Sequence, residues 1–212
     1  MSIIVPAIVL AAGQSSRMGR TKALLPTGRT GDTFVNRIVR TLREGGADDV
    51  LVVVNADGQD IASALQREQS PPRLILNPQP KLGQMSSLQA GLRAIDHPGI
   101  GGILVTLVDV PLIRASTVRV LLDAHRSTRA PIVRPVRRGS HGHPVIFDRS
   151  VFKQLRHAPP DSSAKVIIKA HLREAVDVAV EEDGHFSDID TPADYERVFK
   201  RTLAEDSDGK AS

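Results

Sequence analysis

Short apolar runs alternate along this chain with segments whose apolar positions recur at helical spacing. Residues 3–10, 50–54, 74–76 and 103–108 are continuous apolar runs, and 131–134 begins a fifth. Such runs, short and rich in β-branched residues, predict strands buried on both faces. Between them, 33–44 places Phe34, Ile38, Val39 and Leu42 on one helical face and stops at Gly45-Gly46. Helical patterns also cover 60–69, 86–95 and 115–126. This rhythm predicts an α/β fold: a three-layer αβα sandwich around a mainly parallel, twisted sheet. Ligands are then expected beyond the carboxyl ends of the strands.

After about residue 135 the rhythm loosens. Residues 139–148 read as a loop leading into a short strand at 145–147, followed by helices near 151–157 and 163–172 and a last strand at 175–180. The final helix opens at Thr191, an N-cap with Pro192 in the first helical position, and runs to about residue 203. One domain over 1–203 is expected, with a polar, frayed tail at 204–212.

Composition narrows the classes. With 212 residues, 41% hydrophobic and 25% charged, the chain can bury a substantial core. It has no cysteine, which excludes a disulfide framework, a thiolate nucleophile and a thiolate metal site. No apolar run approaches the ~20 residues that span a bilayer, and the apolar start has no basic flank before it; a cytoplasmic location without a signal peptide is expected. The net charge is +4, with Arg134, Arg137 and Arg138 clustered. Aromatics make up only 3%, without Trp. That favours a basic rim or a site for an anionic small molecule over nucleic acid.

The first apolar run ends in Leu10-Ala11-Ala12-Gly13-Gln14-Ser15-Ser16-Arg17-Met18-Gly19-Arg20-Thr21-Lys22. Small residues let backbone N–H groups approach an anion, while Arg17 offers a planar fork and Lys22 a compact charge. The spacing is neither a Walker A loop nor a Gly-x-Gly-x-x-Gly dinucleotide loop. Composition alone also fits an ordinary solvated loop. Asp109-Val110-Pro111 ends the 103–108 strand, where a carboxylate suits a hard divalent cation or simply a turn. Asp188 and Asp190 fall on one side of an extended segment, or one of them serves the last helix. In Asn77 to Leu88, Ser86 or Ser87 is a ready hydroxyl N-cap. His141 and His143 lack the further ligands of a structural zinc site.

Taken together, LAAGQSSRMGRTKALLP, Asp109-Val110-Pro111, Gly142-His143-Pro144 and the segment 188–194 resemble the MobA-like NTP transferases, above all the molybdenum cofactor cytidylyltransferases, of the GT-A-type nucleotidyltransferase superfamily with its Rossmann-like fold. The resemblance implies a nucleotide site formed by Leu10, Ala11, Ala12, Gly13, Ser15, Ser16, Arg17, Gly19, Lys22, Asn77, Gly83, Ser86, Ser87 and Asp109. It implies catalytic roles for Lys22 and Arg17, and Asp109 with Asp190 on Mg²⁺, or Mn²⁺ in its place. Acceptor contacts fall to His143, Arg138 and Lys165. The implied partners are an NTP and a phosphorylated small molecule, molybdopterin or the molybdenum cofactor, with a molybdoenzyme or chaperone as a further partner and neither nucleic acid nor membrane. Ala12 stands where guanine-using relatives often carry glycine, which points to CTP. Met85, Ser162, Ser163 and Lys165 depart from the family pattern on the base and acceptor sides. The competing expectations are transfer to a sugar phosphate or another phosphorylated metabolite, and a non-catalytic nucleotide-binding partner or chaperone of molybdoenzymes.

Overall fold

The computed structural model describes residues 3–13, 18–28, 32–181, 188–200 and 202. Eight strands form one sheet among them: β1 (Ala7–Leu10), β2 (Val50–Val54), β3 (Arg73–Leu76), β4 (Gly102–Leu107), β5 (Ile132–Arg137), β6 (Ser140–His141), β7 (Val145–Asp148) and β8 (Val176–Ala179). Their order is β3-β2-β1-β4-β7-β5-β6, with β8 also against β5. β3, β2, β1 and β4 are mutually parallel, β7 is antiparallel to both β4 and β5, β6 is antiparallel to β5, and β8 is parallel to β5. The sheet is therefore mixed but mostly parallel.

Strand alternation sends successive side chains to opposite faces. Ala7, Val9, Val50, Val52 and Val54 pack with Ile38 and Leu42 of α1 (Phe34–Glu44), Ile61 and Leu65 of α2 (Gln59–Leu65) and Leu121 of α4 (Ala115–Thr128). Ile8, Leu10, Leu51 and Val53 face Leu88 and Leu92 of α3 (Gln84–Ile95), Leu155 of α5 (Phe152–His157) and Ile167 of α6 (Lys165–Ala170). Helices on both faces complete the three layers. On α3, Gly91 permits the closest approach: a Cβ there would stand 2.8 Å from Ile8 Cγ2.

A smaller cluster sets the geometry of the site. Met18, Leu25, Phe34, Ile189 and Tyr195 of α7 (Pro192–Phe199) are buried together. The Tyr195 hydroxyl donates to the Pro26 carbonyl at 2.9 Å. Thr191 caps α7 as expected, in a reciprocal box with Asp194. This pins the stretch before α7 against the segment after β1.

Several boundaries differ from the sequence expectation. β1 starts only at Ala7, because Pro6 cannot donate to a ladder; Ile4 keeps a single bridge to Ile100. α3 begins at Gln84 with Gly83, at φ 102°, as its N-cap, so neither Ser86 nor Ser87 is the cap. α2 ends at Leu65, α6 spans Lys165–Ala170, and α7 stops at Phe199, where Lys200 turns left-handed at φ 55°. Residues 138–139 form a turn rather than a long loop, and β6 follows it.

Candidate functional site

The strand order reverses at β1, with β2 on one side and β4 on the other, and the cleft opens beyond their carboxyl ends. A cavity of about 220 Å³ lies there, lined by Leu10, Ala12, Gly13, Lys22, Gly83, Ser87 and Asp109 among others. A second cavity of about 450 Å³ shares Leu10, Gln84 and Leu107 with it. The second is mainly apolar, with Met85, Leu88, Val145 and Phe147 in its walls and His143, Lys165 and Lys169 contributing polar groups. The two spaces are thus separated by a common wall at the ends of β1 and β4.

Lys22 is at the centre of the smaller cavity's chemistry. It opens a short 3₁₀ turn, Lys22–Leu24, and is only 9% exposed. Its ammonium donates to Asp109 Oδ2 at 3.2 Å and to Asp190 Oδ1. Asp109 follows β4 in the turn; Asp190 precedes α7. A backbone hydrogen bond from Ile189 N to the Asp109 carbonyl, 2.9 Å, holds the two stretches together. Asp109 Oδ1 is buried without a hydrogen-bond partner. Asp188 is largely exposed at its surface, yet its carboxyl is pushed above the usual carboxylate range by partial desolvation and then by the charges of Asp109 and Asp190, against Lys22 and Lys165.

These donors are all oxygens. A buried carboxylate oxygen lacking a partner, beside a second carboxylate on the same ammonium, fits a hard divalent cation such as Mg²⁺ or Mn²⁺. Among the described residues no group of three His, Cys, Asp or Glu side chains is gathered closely enough to hold a metal by itself. Two protein carboxylates with the remaining positions left to phosphate and water is an ordinary arrangement for Mg²⁺.

The loop before α3 is organised by Asn77. Its buried amide donates to Ser86 Oγ and Ser87 Oγ, both at 2.9 Å, and its Oδ1 accepts from Gln79 N. Ser86 in turn donates to the carbonyls of Gly83 and Gln79. Of the three polar side chains, only Ser87 reaches the cavity. Asn77 and Ser86, expected at the nucleotide, are hydrogen-bonded within the loop and stand behind the cavity lining. Ala11 is spent in the sheet, its N–H bonded to the Val53 carbonyl, and Gly19 sits at φ 68° outside the cavity lining. Ser15, Ser16 and Arg17 lie outside the described residues.

On the other side His143 and Lys165 line the larger cavity. Burial pushes the His143 imidazole below its usual value, and Lys165 adds to this, while the Val105 carbonyl, 3.5 Å from Nδ1, and Asp109 oppose it. This environment favours the neutral ring over the charged one. The expected arginine cluster is split. Arg138, expected at the acceptor, occupies the exposed turn after β5 at φ 49° and lines neither cavity. Arg134 lines the larger cavity, but its Nε is 2.6 Å from Asp177 Oδ1, and His141 Nε2 binds the same carboxylate at 2.9 Å. Arg134, more than any other neighbour, holds Asp177 below the usual carboxylate range. Sequence reasoning missed Lys169 and Gln84; the spacing of Lys165 and Lys169, one helical turn apart, was the available signal.

A mostly parallel sheet with flanking helices, a cavity at its switch point lined by Lys22 and Asp109, and a second cavity across a shared wall define a Rossmann-like nucleotidyltransferase. Residues 7–176 match the MobA-like NTP transferase domain, and the chain belongs to that family. It is 33% identical over 207 residues to the nicotine blue oxidoreductase of Paenarthrobacter nicotinovorans, covering 92% of this chain and 96% of that one. It is 35% identical over 126 residues to a probable molybdenum cofactor guanylyltransferase of Opitutus terrae, 59% of this chain and 58% of the relative. In structure it is similar to Rv0371c from Mycobacterium tuberculosis H37Rv, at a TM-score of 0.81 and 26% identity over 95% of this chain and all of that one. A structure of Rv0371c in complex with manganese superposes at a TM-score of 0.76 and 25% identity, over 95% of this chain and 100% of that chain. No helix among the described residues is long and apolar enough to cross a membrane.

Proposed function

We propose that this protein moves a nucleoside monophosphate from an NTP, CTP in our reading, to a phosphorylated pterin of the molybdenum cofactor type and releases pyrophosphate. The observation that carries this is the Lys22 ammonium between Asp109 and Asp190, on the wall of a cavity that adjoins a larger, mainly apolar one. A phosphate oxygen of the acceptor forms a new bond to the α-phosphorus. The bond from that phosphorus to the bridging oxygen breaks, and pyrophosphate leaves with the electron pair. Such chemistry needs alignment and charge neutralisation more than covalent help.

Asp109 and Asp190 are the residues that would hold Mg²⁺, which when bound neutralises charge on the phosphate oxygens. Lys22 offsets negative charge that grows near the α-phosphate, and Arg17 holds the departing phosphates. Ala12, Gly13 and Ser87 receive the nucleoside. The apolar walls of the larger cavity receive a flat ring system, His143 offers a neutral hydrogen bond, and Lys165 and Lys169 face the acceptor's charge. Because a phosphate acceptor is already ionised at neutral pH, no general base is required.

Ala12 supports CTP, whereas the Opitutus relative's name supports GTP. Pyrophosphate release with each of the four NTPs and Mg²⁺, with and without molybdopterin, reads one against the other. Acceptor-dependent release with CTP is expected. Release with GTP alone would replace cytidylyl by guanylyl transfer, and binding without release would make the protein a non-catalytic partner of molybdoenzymes. The relative named an oxidoreductase raises electron transfer as a competing activity, but the first loop lacks the dinucleotide fingerprint, and a separate absorbance assay is expected to show no oxidation of NADH or NADPH.

A further inference from the structure

The Lys22 ammonium touches the two carboxylates that the proposed chemistry assigns to the divalent cation. From Asp109 it takes Oδ2 and from Asp190 Oδ1. The carboxylates arrive from stretches 81 residues apart and are held together at the backbone by Ile189 and Asp109. Asp188, two residues before Asp190, adds a third carboxylate to this patch of negative charge. A cation is needed to hold such a patch closed. Yet the ammonium does not satisfy it, because Asp109 Oδ1 remains buried without a hydrogen-bond partner among the described residues. One point charge engages part of an oxygen set that a divalent ion would engage more fully.

We propose that Lys22 is the placeholder for the divalent cation, so that metal entry and nucleotide entry are coupled. Nucleotide phosphates enter the cavity that Lys22 and Asp109 both line, and there they offer the ammonium another anionic partner. As the lysine moves to phosphate, the carboxylates are released to the metal. Each ligand removes the other's competitor. Linkage requires the effect to be reciprocal: metal raises nucleotide affinity by the factor by which nucleotide raises metal affinity. The placeholder also keeps two partly buried carboxylates from facing each other without a counter-charge in the resting protein. This inference rests on the metal-dependent transfer proposed above.

The test is Mn²⁺ binding to the full chain without nucleotide, read from loss of the free-ion EPR signal. Wild type is expected to bind weakly. Lys22→Met keeps the aliphatic stem and removes the charge, and should bind Mn²⁺ about ten-fold more tightly or better, since a unit charge a few ångströms from the ion is worth at least that. Lys22→Arg should stay weak. Adding Asp109→Asn to Lys22→Met should abolish the gain. If Lys22→Met does not give a folded protein by circular dichroism, Lys22→Gln serves in its place. Unchanged or weaker Mn²⁺ binding in the neutral variant overturns the proposal, as does a gain that survives Asp109→Asn. The proposed reaction fails separately. A wild type that releases no pyrophosphate, with a neutral variant that gains Mn²⁺, removes the reaction and leaves the placeholder. An active wild type with no gain removes only the placeholder.

Discussion

The N–H of Ile189 donates to the carbonyl of Asp109 at 2.9 Å, 80 residues away along the chain. One main-chain bond thus joins the end of a central strand to the stretch that carries Asp190, and Ile189 itself is fully buried against Met18, Leu25, Phe34 and Tyr195. The two carboxylates meet because the hydrophobic side chain between Asp188 and Asp190 is anchored.

Asp109→Asn keeps the shape of the side chain and removes its charge. With the fold intact by circular dichroism, pyrophosphate release should fall on the order of 10²–10³, the usual cost of losing one positioned charge. A rate near wild type would remove Asp109 from the reaction.

The anchoring of α7 can be weakened without touching a carboxylate. Tyr195→Phe deletes the hydrogen bond to the Pro26 carbonyl and should lower stability by about 1 kcal/mol in urea denaturation. Thr191→Ala removes the N-cap and should cost about 1 kcal/mol as well. Both variants should also weaken Mn²⁺ binding, because Asp190 adjoins the cap.

Gly91→Ala sets two effects against each other. Alanine in a helix interior is favoured over glycine by roughly 0.5–1 kcal/mol. Its Cβ, however, would fall 2.8 Å from Ile8 Cγ2 and 3.2 Å from Val53 Cγ2, and overpacking of that kind costs about 1–3 kcal/mol. A net loss of stability and a lower Tm are expected; a higher Tm would show that α3 can shift off the sheet.

The pH dependence of stability should contain a contribution from Asp148. Burial alone would raise this carboxyl, but hydrogen bonds from His125 and Ser150 and the charge of Arg129 hold it below its usual value. A carboxylate depressed in the folded state stabilises the protein above its unfolded pKa, near 4. That stability is lost as pH falls through the folded value. Asp148→Asn should therefore lose about 3 kcal/mol at pH 7, as when one partner of a buried pair is removed. It should also show a shallower loss between pH 5 and the acid limit, measured by denaturant unfolding at each pH. An unaltered acid slope would place the titrating groups elsewhere.

Lys169→Ala, on the exposed side of α6, should raise the KM for the phosphorylated acceptor several-fold and leave the KM for the NTP unchanged, since Lys169 lines only the larger cavity. Arg138→Ala, in the turn away from both cavities, should change neither.

Much of this was legible before any coordinates. Continuous apolar runs announced β1, β2 and β4, because a strand covered on both faces must be apolar throughout, and Thr191-Pro192 announced α7 because cap chemistry is local. The first loop and Asp109 suggested phosphate and cation chemistry for a similar reason: small residues, a lysine and a strand-end carboxylate are recognisable from a few neighbouring positions. The bonds from Asn77 to Ser86 and Ser87 were not legible, because a buried amide looks the same in sequence whether it faces a ligand or two serines. The splitting of the arginine cluster was not legible because proximity along the chain is not proximity in space: a left-handed turn carries Arg138 away from Arg134, and Asp177 from a later strand claims that neighbour.

Sequence by itself determined the elements, the layer architecture and the kinds of group available, since these depend on patterns a few residues long. Only the tertiary structure decided which groups meet: Lys22, Asp109 and Asp190 are separated by 87 and 81 residues, and their encounter depends on the buried cluster around Ile189 and Tyr195. The larger cavity, too, is an outcome of packing, with walls drawn from β4, β7, α3 and α6. Local patterns carry no record of such long-range closure, because burial is earned by surfaces that come together only once the sheet has formed.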